Sequence, residues 1–158
     1  LLISEGIRIS KFHFSSAMKV HPQPEVLQGL VPFAEDIYFH QVIARSNNGD
    51  LRRYRDLPDA LDLANKGLTL DDDEWRIHFH LPLHCLPTEL FDTTVDQLQS
   101  VIEYLGQNPA LCSHIEMETY TWEVLPESFR QRDVVGQLFG EYNWTLSKLA
   151  DQGICLLN

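Results

Sequence analysis

Hydrophobic and polar residues alternate along 113–122, and this pattern predicts a β-strand. Successive side chains of a strand point to opposite sides, so one face would carry His114, Glu116, Glu118, Tyr120 and Trp122. The other face would carry Ile115, Met117, Thr119 and Thr121, which suit packing against helices. Two carboxylates on one polar face indicate a functional site at this strand.

The same alternation predicts four further strands, at 7–14, 37–45, 51–55 and 75–81. The Asn48-Gly49 step between the strands at 37–45 and 51–55 is the chemistry that hairpin turns favour. In the strand at 75–81, His78 and His80 share one face. The segment 15–23 is predicted to be a loop, and 71–73 an acidic turn.

Apolar residues at helical spacing predict four helices. Pro24 is suited to the first turn of the first helix, and Asp56 to the cap of the second. Thr94 and Gln97 match a capping box for the third helix. The last helix is predicted from a stripe that comprises Val135, Leu138, Tyr142, Leu146 and Leu149. The final order of strand, helix, strand and helix indicates parallel pairing and an α/β fold.

Composition limits the classes of protein to which the chain can belong. Its 158 residues, 44% of them hydrophobic, are enough for one domain with a core. The formal net charge of -11 argues against a nucleic-acid partner. The three cysteines are widely spaced, so neither a disulfide framework nor a thiolate zinc site is indicated.

The apolar runs and the first residues of the sequence indicate where in the cell we expect the protein to be. No apolar run approaches the ~20 residues needed to cross a bilayer, and no leader-like segment opens the chain. We therefore expect no membrane insertion and a cytoplasmic location. The chain opens without Met, and its first predicted strand begins at Ile7, so we expect a piece of a longer protein.

Histidine and glutamate residues of three predicted strands are candidate metal ligands. They are His13, His78, His80, Glu116 and Glu118. Imidazole and carboxylate together suit zinc, manganese or iron. The alternative for His13 is a core histidine hydrogen-bonded to a neighbour, and for the glutamates a solvated strand face or a pair with Arg76. Spacing leaves these alternatives open, because alternation makes any His-x-His pair co-facial.

Other residues of these strands are candidates for substrate contacts. Lys11 shares the predicted face of His13. His40 either lines the same pocket or lies in the hairpin. Tyr120 and Trp122 either form an apolar wall for a sugar ring or take part in ordinary packing. The sequence contains no glycine-rich nucleotide motif and no nucleophile elbow, so nucleotide-dependent transfer and serine hydrolysis have no support.

Four segments in order, at 7–17, 38–41, 74–82 and 114–126, resemble the C-terminal part of EboE-type proteins. These proteins are xylose-isomerase-like TIM barrels, often called metabolite traffic proteins. The resemblance covers nearly the whole chain, and Glu118-Thr119-Tyr120-Thr121-Trp122 is its most distinctive motif. It implies that residues 1–158 form a single α/β domain or fragment: the C-terminal part of a (β/α)8 barrel, with a β-hairpin insertion between the last two barrel strands.

The resemblance also implies a divalent metal ion, either zinc, manganese or magnesium. His13 would be the ligand of the seventh barrel strand and Glu118 that of the eighth. His78 and His80 are similar to the Asp-x-His of the apurinic-endonuclease branch of that superfamily. The six preceding strands are absent from this sequence, so the chain would hold at most half of a site.

The function expected from these observations is a metal-dependent sugar-phosphate isomerase or epimerase acting on a small polyhydroxylated or secondary metabolite. The metal would polarise a carbonyl and a hydroxyl, with Glu118 and Glu116 as catalytic candidates. The substrate-binding candidates are Lys11, His40, Tyr120 and Trp122. The alternative is a non-catalytic metabolite-binding or trafficking protein that uses the barrel pocket. A third possibility, apurinic endonuclease activity, is disfavoured by the acidic charge.

Overall fold

The computed structural model describes residues 2–69, 71–126 and 133–155. Its strands are β1 (Phe12–Phe14), β2 (Ser16–Val20), β3 (Val42–Ser46), β4 (Leu51–Tyr54), β5 (Asp72–Leu81), β6 (Asp92–Thr93) and β7 (Ile115–Met117). Its α-helices are α1 (Pro24–Leu30), α2 (Leu57–Asn65), α3 (Val95–Gln107) and α4 (Val134–Asp151). Short 3₁₀ helices cover Val31–Phe33 and Thr121–Glu123. Within the described ranges, no helix has the length and apolar character that crossing a membrane requires.

Strands β2 to β6 form an antiparallel sheet with the order β4-β3-β5-β2-β6. The central strand β5 shows why the sheet has two different faces. Its Trp75, Ile77 and Phe79 are fully buried, whereas Arg76 and His78 between them are exposed. We call the side of the sheet that carries Arg76 and His78 the open face. Lys19, Ile43, Arg45 and Arg53 are among the other residues on this face.

Strands β1 and β7 form a separate parallel pair, in which His13 lies opposite Glu116. A hydrogen bond from Glu118 N to Phe14 O, 2.9 Å long, continues this pairing beyond β7. Only Ser15 separates β1 from β2, so the chain passes directly from the parallel pair into the antiparallel sheet. The parallel pairing therefore places His13 of β1 beside Glu116 and close to Glu118.

The expected fold, the C-terminal part of a (β/α)8 barrel with a hairpin insertion, is wrong. Parallel strands joined by helices would form a barrel part, but the five-stranded sheet is antiparallel and the parallel pair stands apart from it. The physical reason lies in the segment predicted as a loop. Its residues Ser16, Met18 and Val20 are buried, and the segment pairs with β5 as a strand. The predicted hairpin of β3 and β4 therefore extends a sheet that already contains β5 and β2.

Several predicted strands have different ends in the structure. The strand expected at 113–122 ends at Met117, and a 3₁₀ helix follows. Two residues of the predicted acidic turn, Asp72 and Asp73, belong to β5, where Asp72 lies opposite Ser46. The Asp72 carboxylate accepts a hydrogen bond from Trp75 Nε1 at 2.8 Å and lies 3.3 Å from Arg52 Nη1. The Asn-Gly hairpin turn forms with Gly49 at a φ of 90°, which glycine adopts at little cost.

Helices α1 and α2 contribute to the core beneath the inner face of the antiparallel sheet. Leu30 of α1 and Leu57 of α2 belong to the same buried cluster as Trp75 and Ile77. Burial of each such aliphatic side chain contributes about 1.5–3 kcal/mol. Asp56 caps α2 as predicted, since its carboxylate accepts a hydrogen bond from Leu57 N at 2.8 Å.

A second core joins α3, α4 and the parallel pair. It contains Phe14 of β1, Ile102 of α3 and Leu149 of α4. The predicted capping box of α3 does not form. Thr94 Oγ1 instead accepts a hydrogen bond from Ala17 N at 2.8 Å, so it ties the helix start to β2.

Helix α4 turns part of its polar side inward. Gln137, Glu141 and Thr145 are buried, whereas Val135 is 75% exposed and Phe139 is 66% exposed. The apolar stripe predicted for this helix is therefore largely on the surface in its first half. Leu149, nearer the end of the helix, is buried as predicted.

Hydrogen bonds to Glu141 account for this orientation of α4. Its Oε1 accepts from Leu83 N at 3.0 Å and from Thr119 Oγ1 at 2.6 Å. Burial raises the pKa of Glu141, because an ionised carboxylate loses hydration there, and the two hydrogen bonds only partly oppose this. Glu141 thus anchors the helix to two distant segments of the chain.

Replacing Glu141 with glutamine should remove a pH dependence of stability. Because the pKa of Glu141 is higher in the folded chain than in the unfolded chain, protonation of Glu141 stabilises the fold. This contribution is complete below the unfolded-state pKa of about 4.3 and is lost as pH rises through the folded-state pKa. Glutamine keeps an acceptor oxygen but does not titrate. Urea denaturation at several pH values should show the stability of the wild type falling relative to E141Q as pH rises above about 4.3.

Glu141→Ala provides the matched comparison for this experiment. It removes the acceptor of Leu83 N and Thr119 Oγ1, and each buried donor left unpaired should cost about 1–3 kcal/mol of unfolding free energy. A stability difference between wild type and E141Q that does not change with pH would contradict a titrating Glu141.

Candidate functional site

The imidazoles of His78 and His80 meet on the open face, where the chain leaves β7. Their Nε2 atoms are 2.9 Å apart. His78 Nδ1 lies 2.8 Å from Gln41 Oε1, and His80 Nδ1 lies 2.5 Å from the backbone oxygen of Glu118. Each ring therefore has one nitrogen at an oxygen acceptor and the other at the neighbouring ring.

These contacts determine where the protons of the two rings lie. A carbonyl or carboxamide oxygen only accepts, so Nδ1 of each ring carries hydrogen and donates. In two neutral rings both Nε2 atoms would then present lone pairs to each other. A proton shared between the two Nε2 atoms relieves this repulsion, and their separation of 2.9 Å is the length of such a hydrogen bond. The arrangement of His78 and His80 therefore suits the binding of one positive charge.

His80 is the more buried ring of the pair. Burial lowers the pKa of His80, although the hydrogen bond to the Glu118 carbonyl opposes the shift. The hydroxyl of Thr121 donates to the backbone oxygen of His80 and holds the end of β5 in place. A neutral ring with hydrogen on Nδ1 presents a lone pair at Nε2, which is the form that binds metals.

The parallel pair carries a second group of charged side chains. His13 Nδ1 is 3.3 Å from Glu118 Oε2, and His13 Nε2 is 3.5 Å from Glu116 Oε2. Lys11 Nζ donates to Glu116 Oε2 at 2.8 Å, and His114 Nε2 is 3.1 Å from Glu116 Oε1. Lys11, followed by His114, lowers the pKa of Glu116. The carboxylate of Glu116 thus contacts Lys11 and His114, whereas the carboxylate of Glu118 faces His13.

Glu118 connects the two groups of side chains. Its backbone oxygen accepts from His80, and its carboxylate faces His13. The ring of Tyr120 lies 4.6 Å from that of His80 and 5.0 Å from that of Tyr38. Burial, and then the negative charge of Glu118, raises the pKa of Tyr120, so its hydroxyl keeps its proton and can donate to a ligand.

The structure brings the four predicted metal ligands into one neighbourhood, but as two pairs. His78 faces His80 through Nε2, and His13 faces the carboxylate of Glu118. Across 2–69, 71–126 and 133–155, no group of three or more His, Cys, Asp or Glu side chains is arranged to hold a metal ion. The facing Nε2 atoms of His78 and His80 are two nitrogen donors at a hydrogen-bond distance from each other.

The remaining predicted residues lie in different surroundings. We call the contacting side chains of His78, His80, His13, Glu116 and Glu118 the cluster. Lys11 and Tyr120 also belong to it, since Lys11 contacts Glu116 and the ring of Tyr120 contacts that of His80. His40 is fully buried, with Nδ1 3.2 Å from the backbone oxygen of His78 and Nε2 2.7 Å from Glu35 Oε1. Trp122 is partly buried against the core beneath the antiparallel sheet. Neither Glu116 nor Glu118 pairs with Arg76, which instead contacts Glu74 at 2.9 Å.

Gln41 and Tyr38 belong to the cluster, although the sequence marked them only as part of the segment 38–41 and indicated no role for either residue. Gln41 follows His40, and its backbone oxygen accepts from His78 N at 2.8 Å, as expected of a neighbouring strand. Strand register is the signal that finds it, because Gln41 and His78 come to lie side by side on adjacent chains. Tyr38 is found only through its ring contact with Tyr120.

His13 also borders a cleft of about 220 Å³ between β1 and α3. The lining residues include Ser15, Thr94, Gln97 and Val101. This cleft provides space for part of a small molecule next to the imidazole of His13.

No protein-family model matches the chain, and comparisons with curated proteins and with solved structures find no match either. Its function is therefore inferred from its residues and their geometry.

His80 should titrate below its ordinary pKa of about 6.5 and carry hydrogen on Nδ1. Because the folded-state pKa is lowered, acidification through about 6.5 should cost stability, as the unfolded chain takes up the proton first. Long-range ¹H–¹⁵N spectra of the metal-free protein, recorded across this pH range, report both properties. A neutral His80 ring with hydrogen on Nε2 would contradict the arrangement.

Proposed function

We propose that this chain is a metal-dependent protein resembling sugar-phosphate isomerases and epimerases, which acts on a small polyhydroxylated metabolite. The observation that supports it best is that His78 Nε2 and His80 Nε2 face each other, with both Nδ1 atoms at oxygen acceptors, so that two nitrogen donors are directed to one point. Nitrogen ligands favour zinc over magnesium or manganese, which prefer oxygen ligands. The bound ion would act as a Lewis acid on a carbonyl and the adjacent hydroxyl.

Isomerisation of a hydroxy-carbonyl compound moves a proton between neighbouring carbons, so it needs a base next to the bound substrate. We assign this role to Glu118, whose carboxylate would take the proton from one carbon and return it to the next. His13, in contact with that carboxylate, would carry the proton exchanged between the two oxygens. Glu116, held ionised by Lys11, would contribute negative charge nearby, and Tyr120 would donate a hydrogen bond.

The resemblance to EboE-type metabolite traffic proteins is part of this proposal. It rests on the segments that contain His13, His78, His80 and Glu118, which form the two facing pairs. The barrel fold that the resemblance implied is not part of the proposal.

A non-catalytic role in binding or trafficking a metabolite is the second candidate. The exposure of the acid and base groups favours it, since 44% of the His13 side chain and 47% of the Glu118 side chain are accessible to solvent. Catalytic groups commonly work in sites from which water is excluded. An accessible cluster suits reversible binding and release.

The purified protein should bind a single zinc ion through the histidine pair. His78→Ala and His80→Ala should each weaken zinc binding by at least roughly tenfold, because each removes one of two nitrogen ligands. His21→Ala is the matched control, since His21 is exposed and lies outside the cluster. Isothermal titration calorimetry with a competing chelator measures the affinities. Absence of zinc binding by the wild type, or an equal loss in H21A, would sink the metal assignment.

Glu118→Gln should abolish proton exchange on the substrate. With zinc-loaded protein and pentose or hexose phosphates in heavy water, NMR should show deuterium entering the sugar, and the variant should slow this by roughly 10²–10⁴-fold. Glu103→Gln, an exposed glutamate of α3, is the control. If the wild type exchanges nothing, while E118Q only binds the sugar more weakly, the binding role is the correct one.

A further inference from the structure

Arginines lie on the open face of the antiparallel sheet in a chain whose net charge is -11. Arg53 of β4 and Arg76 of β5 belong to one row across the sheet, because both lie opposite Ile43 in register. Neighbouring strands are about 4.8 Å apart, so the backbones of the two arginines are about 10 Å apart. Side chains as long as those of arginine can reach a common ligand across this distance.

The guanidinium groups of Arg53 and Arg55 have no carboxylate partner in the described part of the chain. In contrast, Arg52 lies 2.5 Å from Asp71 Oδ2, and other cations of the sheet have acidic partners too. Arg55 contacts an aromatic ring, since its guanidinium carbon is 4.7 Å from the centre of the Phe39 ring. Two exposed guanidinium groups are therefore available to bind an external anion.

These arginines border the histidine pair. His78 follows Arg76 by two residues on the same face of β5, which corresponds to about 7 Å along the strand. Phe39, the ring beneath Arg55, precedes Gln41 by two residues, and Gln41 contacts His78. A ligand bound at the arginines would thus lie within the length of a small sugar from His78 Nε2.

We propose that Arg53, Arg55 and Arg76 bind the phosphate monoester of a small molecule whose other end reaches His78 and His80. A phosphate monoester carries a charge of about -1.5 to -2 near pH 7 and matches the bidentate geometry of guanidinium. Arg76 donates its Nε to Glu74, so its terminal N–H groups are the ones directed to the ligand. This inference names the substrate class for the proposed function, and its role as a substrate subsite rests on that function.

Acidic residues around the arginines favour a single anionic group over a polyanion. Asp50, Asp71 and Asp73 lie at the hairpin end of the sheet, and Glu35 and Asp36 precede the Phe39 segment. Together with the overall negative charge, they would repel a nucleic-acid backbone. The positive potential is therefore confined to an area suited to one phosphate.

Calorimetric titration of the metal-free protein, in the presence of a chelator, tests the proposal with inorganic phosphate and with D-ribose 5-phosphate. The double variant R53Q/R55Q should bind both probes at least roughly tenfold more weakly, because charge-assisted hydrogen bonds are lost. R45Q is the matched control. Arg45 lies on the same face, but its guanidinium is engaged with Asp73 and Glu74, so binding should change by less than about twofold.

Four outcomes would overturn the proposal. These are no phosphate binding by the wild type, unchanged binding in R53Q/R55Q, an equal loss in R45Q, and tighter binding of duplex DNA than of ribose 5-phosphate. Circular dichroism of each variant confirms that the fold is intact. The titration needs neither zinc nor turnover, so phosphate binding with no metal binding would refute the proposed function alone, and the reverse result would refute only the phosphate site.

Discussion

One hydrogen bond, from His80 Nδ1 to the backbone oxygen of Glu118, joins the two sheets of this protein at the candidate site. The hydroxyl of Thr121 adds a second bond, to the backbone oxygen of His80. Together they dock the chain that leaves β7 on the open face of the antiparallel sheet. This contact helps to fix the position of the acidic residues that follow β7 relative to the histidines. Directional hydrogen bonds provide such a position, because their geometry is narrow.

The same bond links the fold to its chemistry. Because the Glu118 oxygen only accepts, it selects the tautomer of His80 and so decides which nitrogen faces His78. The carboxylate of Glu118 is then directed away from the histidine pair and toward His13. The His78–His80 pair and the His13–Glu118 pair thereby lie next to each other but make separate contacts. The strand beneath is held by the burial of Trp75, Ile77 and Phe79, so the imidazoles on its outer side stand on a rigid support.

Charge is distributed unevenly over this acidic chain. The carboxylates of Glu116 and Glu118 contact Lys11 and His13, whereas Arg53 and Arg55, unlike Arg52, have no carboxylate partner among the described residues. The open face therefore carries these two arginines next to the facing imidazoles, while Trp75, Ile77 and Phe79 are buried on the opposite face of the sheet. Because the net charge of the chain is strongly negative, these guanidinium groups are a local exception to it.

The sequence by itself determined which residues share a face within β5, and it located the four helices and the strands β3, β4 and β5. Alternation placed His78 with His80, and it identified the hairpin of β3 and β4. The cap of α2 by Asp56 could be predicted, because capping depends on residues that are adjacent in the sequence. Only the tertiary structure decided how the strands pair, since the choice between parallel and antiparallel partners depends on segments far apart in the chain, such as β2 and β5. It also decided which side of α4 is buried, because the groups that bind Glu141 come from Leu83 and Thr119. Local patterns carry no information about such distant partners, so the tautomers and neighbours that create the site could not be read from the sequence.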